Sequence, residues 1–170
     1  MTRILIRDAK EPDFDRIVEL NAAAVRETSA MDLDRLQRLH TLAFQHRVAL
    51  ADGRLVGFLL SMRDGAEYAN DNFGWFAGRY PHFVYIDRIV VDGAFAGQGI
   101  GRLLYEDLFS RSRAEGIGIV ACEYNLDPPN PASNAFHLRF GFVEVGRQRV
   151  ADGTKLVSLQ VAQLPGSVAP

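Results

Sequence analysis

The sequence contains a single cysteine, Cys122, among 170 residues. One cysteine cannot form a disulfide within the chain, which excludes the class of small secreted domains that depend on disulfides. Lysine is almost as scarce, because Lys10 and Lys155 are the only two and arginine supplies the remaining positive charge. The formal net charge is −2, so neither nucleic acid nor an anionic membrane is an expected partner.

Long hydrophobic runs are also missing. No apolar stretch approaches the roughly 20 residues that a transmembrane helix needs. The amino-terminal segment turns polar after Ile6, which is too early for a secretory signal peptide. We therefore predict a cytoplasmic protein. A chain of 170 residues can bury one sizeable core, so we expect a single domain over residues 1–165 and a loose tail over 166–170.

The spacing of apolar residues predicts the order strand, two helices, three strands, helix, strand, helix and two strands. Asp52-Gly53 and Asp152-Gly153 are typical of tight turns between antiparallel strands. The central strand–helix–strand unit, by contrast, implies a parallel pair with a right-handed crossover. The sequence therefore predicts a mixed α/β sheet of about seven strands with about four helices, and not a doubly wound sheet.

Three glycines at alternate positions, Gly97, Gly99 and Gly101, lie where a predicted strand meets a predicted helix. Glycine allows successive N–H groups to point into one concavity, and the helix start adds partial positive charge. This arrangement favours a phosphate or pyrophosphate, to which Arg102 would add a direct charge. The alternative is a plain turn that lets the helix pack closely on the sheet.

Two other phosphate-binding loops fit the segment less well. A Walker loop is excluded because no Gly-Lys-Ser/Thr follows. The dinucleotide fingerprint G-x-G-x-x-G fails because Arg102 and Leu104 occupy the positions of its third glycine. Glu123 nevertheless ends the next strand, where such folds place an acid for a ribose. A nucleotide-binding module therefore stays open as an alternative.

Two motifs, AGQGIG at residues 96–101 and NPASNAFHLRFGF at residues 130–142, make the chain resemble the GNAT superfamily of acyl-CoA-dependent N-acetyltransferases. Residues 96–101, AGQGIG, resemble the family's phosphate loop Q/R-x-x-G-x-G/A, with Ala96 in place of the leading residue. Residues 130–142, NPASNAFHLRFGF, resemble N-x-x-A-x-x-x-Y-x-x-x-G-F. Ser133 replaces the alanine of that motif and His137 replaces its tyrosine. The resemblance covers the whole element order and is strongest from Ile89 to Phe142.

The resemblance implies a GNAT fold whose sheet is splayed between strands 4 and 5. Acetyl-CoA would lie in that gap as cosubstrate, its pantetheine arm pairing with main-chain groups of the fourth strand and its pyrophosphate resting on N–H groups of the glycine loop. The implied cofactor-binding residues are Ile89, Val90, Val91, Gly97, Gln98, Gly99, Ile100, Gly101, Arg102, Asn130, Ser133 and Phe136.

Acyl transfer to an amine needs a neutral nucleophile, a stabilised oxyanion and a proton for the leaving thiolate. By resemblance, a main-chain N–H near Val90 or Val91 would stabilise the oxyanion. His137 is the candidate acid, because an imidazole titrates near neutral pH. Its alternative role is packing. Cys122 lies inside an apolar strand, so we expect a buried hydrophobic residue and not a nucleophile.

Two carboxylates are candidates for the base that removes the amine proton. Asp87 sits in the middle of an apolar strand, where a carboxylate is costly unless it is paired. It would relay the proton through water, or it forms an ion pair with Arg88 or Arg139. Glu123, on the neighbouring strand, is the second candidate, and its alternative is a solvated strand end.

The segment 66–83 is irregular in pattern, rich in aromatic residues and longer than most connections within a domain. We predict that it helps to form the acceptor pocket, with Trp75 as its substrate contact and Tyr85 on the following strand as a second one. The alternatives are that the segment packs its own aromatics on the core or forms a homodimer contact, and that Tyr85 serves packing alone.

The sequence therefore predicts an acetyltransferase that moves an acetyl group from acetyl-CoA to a primary amine of a small molecule or a protein. The reaction is expected to proceed by direct attack in a ternary complex, without a metal. The alternative is a CoA-binding regulatory or sensing protein of the same fold with little turnover. The superfamily acylates many kinds of amine, so the acceptor stays open.

Overall fold

The computed structural model describes residues 2–25, 28–127, 129 and 131–165, with the side chains of residues 131–134 excepted. Seven strands form one sheet in the order β1-β2-β3-β4-β5-β7-β6. The strands are β1 Ile4–Asp8, β2 Gln45–Ala51, β3 Arg54–Arg63, β4 Val84–Val91, β5 Ile119–Asp127, β6 Val143–Val150 and β7 Lys155–Gln163. The helices are α1 Phe14–Ala23, α2 Leu33–Leu42, α3 Asp71–Ala77, α4 Ile100–Ala114 and α5 Pro131–Arg139.

The predicted fold class, a mixed α/β sheet splayed at its parallel strands 4 and 5, is confirmed. β4 and β5 pair in parallel at Val84 with Val120 and at Tyr85 with Ala121. The other recorded pairs, β1–β2, β2–β3, β5–β7 and β6–β7, are antiparallel. Two short 3₁₀ helices, Glu11–Asp13 and Gly93–Phe95, complete the elements of the described chain. No helix in this part of the chain is long and apolar enough to cross a membrane.

The described part of the chain contains five α-helices, where the sequence predicted about four. Residues 66–83 were expected to be irregular, yet α3 forms within them. Its start is fixed by Asn70, whose side-chain oxygen accepts a hydrogen bond from the Phe73 N–H at 3.0 Å. This is the usual way for an N-cap residue to satisfy one of the free N–H groups of a first helical turn.

The chain divides into two compact units, the first made of Met1–Met62 and Ile86–Ser110. In this unit β1, β2 and β3 form an antiparallel meander, and Asp52-Gly53 makes the predicted tight turn with φ values of 48° and 86°. Positive φ at both central residues matches the right-handed twist of the paired strands. The core of the unit includes Ile17, Leu36, Val48 and Phe58.

The second unit is made of Arg63–Tyr85 and Arg111–Pro170. β7 lies between β5 and β6 in this unit, and the predicted turn at Asp152-Gly153 joins β6 to β7. Its core contains Phe76, Phe83, Phe142 and Leu159. The assignment of residues 1–165 to a single domain stays a prediction, and residues 166–170 lie outside the described chain.

Candidate active site

The glycine segment takes the backbone conformation that its residues allow. Gly97 and Gly99 both have a φ of +79°, a region that side chains disfavour strongly. The first helical hydrogen bond of α4 runs from the Leu103 N–H to the Gly99 carbonyl oxygen at 3.0 Å. α4 therefore begins directly after the second of these glycines, and its first turn follows β4 after a short connection.

The N–H groups at the start of α4 are free to receive a ligand. Within the described chain, no acceptor is recorded for the main-chain N–H groups of residues 98–102. The side chain of Ile100 is buried and fixes the turn in place, whereas Gln98 and Arg102 are exposed. Free N–H groups at a helix start, where the helix dipole is positive, form a site suited to an anion.

Asp92 holds the connection between β4 and this loop. One of its carboxylate oxygens accepts a hydrogen bond from the Ala94 N–H at 2.9 Å, and the other pairs with the Arg16 guanidinium at 2.7 Å. The hydrogen bond to Ala94, followed by the contact with Arg16, lowers the pKa of Asp92. Arg16 also donates to the Leu55 carbonyl oxygen at 3.2 Å. α1 and β3 are thus both tied to the entrance of the glycine loop.

Asp87 is engaged in a buried polar network. The Arg88 Nε donates to the Asp87 carboxylate at 2.7 Å, and both side chains are at most 3% exposed. The rest of the Arg88 guanidinium donates to Asn21 Oδ1 and to the carbonyl and hydroxyl oxygens of Ser29 at 3.0–3.1 Å. This is the ion pair that the sequence left open as the alternative to a proton relay. It ties β4 to α1 and to the segment that follows α1.

The carboxyl half of β4 carries Ile89, Val90 and Val91, of which Val90 is buried. The Val90 carbonyl oxygen faces Gly57 of β3 so closely that a Cβ at position 57 would lie 3.0 Å from it. Gly57 is thus a residue that the sequence reasoning missed. An isolated glycine inside a strand is a signal for such close backbone approach, and could have identified it.

In the second unit, Tyr85 and Glu123 form a hydrogen-bonded pair. The Tyr85 hydroxyl lies 2.9 Å and 2.8 Å from the two carboxylate oxygens of Glu123. The parallel register pairs Tyr85 with Ala121, and Glu123 is two residues further along the same face of β5. The ring of Tyr85 is 1% exposed and packs edge-on against Phe73. The sequence placed both residues among the candidates but did not predict that they meet.

His137 is buried among aromatic rings. Its imidazole stacks on Tyr124 with a centroid distance of 5.5 Å and meets Phe136 and Phe142 edge-on at 5.8 Å and 5.3 Å. Phe136 itself is half-buried and also contacts Phe140. These contacts provide the packing that the sequence weighed against a role as acid. Asn130 lies outside the described residues, and the side chain of Ser133 is not described.

Trp75 does not stand free in the segment 66–83. The Arg79 guanidinium carbon lies 3.9 Å from the centre of the indole ring, and a Cβ at Gly146 of β6 would lie 2.5 Å from Trp75 Cζ2. Phe76 packs edge-on against the indole at 5.2 Å. The aromatic residues of this segment thus pack largely on one another and on Tyr85, which was the stated alternative to a substrate pocket.

Cys122 is buried inside β5, as predicted. Burial, and then the nearby Glu123 charge, raises the pKa of the Cys122 thiol well above its usual range. A thiol held in its neutral form is a poor nucleophile. The expectation that Cys122 is a buried residue is therefore confirmed.

Comparison with known families identifies the family of this chain. The family model described as "Acetyltransferase (GNAT) family" matches residues 5–142, which is most of the chain and includes both sequence motifs. The chain belongs to the GNAT acetyltransferase family. The resemblance stated from the two motifs is thereby confirmed.

Solved structures share the whole GNAT fold with this chain. Ard1 from Thermoplasma volcanium superposes with a TM-score of 0.77 at 18% identity, over 95% of this chain and 97% of its own. The ribosomal-protein-S18-alanine N-acetyltransferase from Escherichia coli superposes with a TM-score of 0.74 at 16% identity, over 99% and 97% of the two chains. No curated protein matches the chain.

A third GNAT structure contains the cofactor. The yncA protein from Salmonella typhimurium, solved with acetyl-CoA, superposes with a TM-score of 0.73 at 22% identity, over 99% of this chain and 98% of its own. At these identities the likeness shows the shared fold alone. What the individual residues of this chain do must therefore be argued from its own geometry.

Proposed function

We propose that this chain transfers an acetyl group from acetyl-CoA to a primary amine by direct attack within a ternary complex. The observation that carries the proposal is the set of main-chain N–H groups over residues 98–102 that lack a recorded acceptor in the described chain, at the start of α4 in a member of the GNAT family. Such groups suit the pyrophosphate of coenzyme A, because they combine hydrogen-bond donors with the positive end of a helix.

The remaining cofactor contacts follow from the family. Main-chain groups of Ile89 to Val91 would pair with the pantetheine arm, and an N–H of Val90 or Val91 would stabilise the oxyanion. Asn130, Ser133 and Phe136 would line the arm, and Arg102 would add charge beside the pyrophosphate. Acetyl-CoA supplies the activated acyl group, and the chain's own task is to bind it, orient it and handle protons.

Proton transfers accompany the reaction at both partners. A base must take one proton from the acceptor ammonium, and an acid must give one to the leaving thiolate. As the amide forms, the nitrogen loses its second proton, which restores the acid. We assign the acid to His137 and the base to Glu123. The buried ion pair of Asp87 with Arg88 supports Glu123 over Asp87, because Asp87 is already committed to a neighbouring cation whereas Glu123 is only half-buried.

The acceptor is a primary amine of a small molecule or of a protein. The Escherichia coli neighbour is a ribosomal-protein-S18-alanine N-acetyltransferase, which supports including peptide amino termini among the acceptors to be tested. The packing of Trp75 against Arg79 and Gly146 leaves it a smaller role in binding than the sequence suggested. A homodimer and a cytoplasmic location stay predictions from the sequence.

The experiment incubates the protein with acetyl-CoA and a panel of amines: free amino acids, polyamines and peptides with different amino-terminal residues. Release of CoA and the mass of the acetylated product are measured together. We expect at least one amine to raise CoA release above the rate without acceptor, with a matching product mass. Binding of CoA without stimulation by any amine would contradict the proposal and favour a sensing protein.

A further inference from the structure

The pair formed by Tyr85 and Glu123 carries an inference that rests on the proposed function and extends it. We infer that Tyr85 is a positioning residue, which fixes the Glu123 carboxylate through its hydroxyl and so sets the orientation and the protonation of the base. The two residues are 38 positions apart in the sequence, so their contact is not a local one. The parallel register of β4 and β5 brings them together.

The hydroxyl of Tyr85 is held rigidly. Its ring is 1% exposed and is enclosed by Phe73 and Phe76, with centroid distances of 5.8 Å and 6.0 Å. A tyrosine with a buried ring has little rotational freedom, so its hydroxyl points in one direction. In this structure that direction is toward one carboxylate, and both of its oxygens lie within hydrogen-bond distance.

The chemistry of such a contact has two consequences. A hydrogen bond donated to a carboxylate favours its ionised form, which is the form that can accept a proton. A single hydroxyl shared between two oxygens also fixes the plane of the carboxylate, and a carboxylate can accept further hydrogen bonds beside this one. Glu123 as a residue is half-buried.

The test uses Tyr85→Phe, which removes the hydroxyl and retains the ring that packs against Phe73 and Phe76. Tyr80→Phe is the matched control, because it removes one hydroxyl from a tyrosine that also packs against Phe76. With the amine that the wild-type protein acetylates best, we expect kcat of Tyr85→Phe to fall about tenfold, in line with the loss of a hydrogen bond to a charged group. The KM for acetyl-CoA should be unchanged.

The pH–rate profile separates positioning from packing. In Tyr85→Phe the acid limb should move to higher pH, because the carboxylate loses a donor that favoured its ionised form. Tyr80→Phe should keep the wild-type profile. Glu123→Gln should lower kcat about a hundredfold or more, as expected for removal of a general base. The double variant should then be no slower than Glu123→Gln alone, because the hydroxyl acts through the carboxylate.

A second measurement does not depend on turnover. The carboxyl carbons of glutamate are labelled with ¹³C, and the signal that disappears in Glu123→Gln is followed through a pH titration. Its midpoint should lie higher in Tyr85→Phe than in the wild type. If the midpoint moves while the pH–rate profile does not, Glu123 is not the base and the inference is wrong. If Tyr85→Phe has the kcat and the pH–rate profile of the wild type, the inference about Tyr85 is wrong, although the proposed acetyl transfer is unaffected. If the wild type acetylates no amine, both the inference and the proposed function are wrong.

Discussion

The indole of Trp75 occupies the space that a side chain at position 146 would need. Gly146 lies on β6, and a Cβ built on it would approach Trp75 Cζ2 to 2.5 Å. Arg79 covers the indole on its ring face at 3.9 Å, so the ring has contacts on more than one side. α3 therefore contacts the sheet of the second unit through Trp75, whose indole packs against β6 at a position where the residue, Gly146, has no side chain.

Gly146→Ala should destabilise the protein by about 1–3 kcal/mol, the usual cost of overpacking a filled site. The measurement is urea unfolding followed by fluorescence, which reports on this site directly because Trp75 is the only tryptophan. Gly74→Ala in α3 is the control, since a Cβ there meets nothing within 4 Å and alanine favours a helix. Equal stability of the two variants would show that the indole moves aside without cost.

The free energy of unfolding should decrease at low pH because of the buried imidazole of His46. Its Nδ1 lies 2.8 Å from His40 Nδ1, and burial, followed by the His40 charge, lowers the pKa of His46 to about 4. Because the unfolded chain takes up that proton near pH 6.5, the contribution is complete above pH 6.5 and is lost as the pH falls toward 4. The loss should reach on the order of 3 kcal/mol. The charges of Asp13 and Asp8 favour protonated His46 and so reduce this loss of stability.

The check is the free energy of unfolding between pH 7 and pH 4.5 in the wild type and in His46→Phe. The variant should show a flatter dependence, because it has no imidazole to protonate among Phe14 and Phe58. His82→Phe, at a histidine whose side chain is 64% exposed, is the control and should change the slope less than His46→Phe does. A slope in His46→Phe as steep as in the wild type would assign the acid sensitivity to other groups.

Gly99→Val should weaken coenzyme A binding by about tenfold or more, because a β-branched residue is strained at a φ of +79° and its side chain would stand among the free N–H groups. Calorimetric titration with CoA measures the change. Gly93→Val in the adjacent 3₁₀ helix is the control, since a Cβ there meets nothing within 4 Å and its φ is not positive. Retained affinity in Gly99→Val would place the pyrophosphate elsewhere.

His137→Phe tests the assignment of the acid. Phenylalanine preserves a ring against Tyr124, Phe136 and Phe142 but removes both nitrogens. We expect kcat to fall about a hundredfold, the lower end for loss of a general acid, with little change in CoA affinity. Steady-state kinetics and calorimetry together measure the two effects. Unchanged turnover would assign His137 to packing.

Arg88→Met should destabilise the protein by about 3–5 kcal/mol, because it removes the cation from a buried ion pair and leaves the carboxylate of Asp87 without it. Asn21 and Ser29 lose their hydrogen bonds to the guanidinium at the same time. Chemical unfolding measures the loss. Arg54→Met, at a side chain that is 66% exposed, should change stability by less than about 0.5 kcal/mol. If Arg88→Met and Arg54→Met lose a similar free energy of unfolding, the buried ion pair contributes no more to stability than an exposed side chain does.

The sequence predicted the succession of the seven strands along the chain because each strand has a local signal. Apolar runs, Asp-Gly turns and the glycine after α4 depend on neighbouring residues alone; Gly116, for example, has the positive φ that ends a helix. The turn at Gly97 and Gly99 was predictable for the same reason. Its glycines are needed wherever the backbone must take a positive φ.

The contacts around the candidate catalytic residues could not be predicted in the same way. Tyr85 meets Glu123 through strand register, and Trp75 meets Gly146 through the docking of a seven-residue helix on a strand. Both depend on which residues the folded chain brings together across long separations. α3 itself escaped prediction because its apolar residues are aromatic and nearly continuous, so no helical period stands out.

The burial of Cys122 has a practical consequence. The folded chain presents no reactive sulfur to solution, since its one thiol lies within β5 and is held neutral. A chromogenic disulfide reagent added to a reaction will therefore titrate liberated coenzyme A over a background that the protein barely raises. When the same reagent is added to the protein alone, the rate at which Cys122 is labelled measures how often β5 opens, because the thiol is accessible only in the opened state.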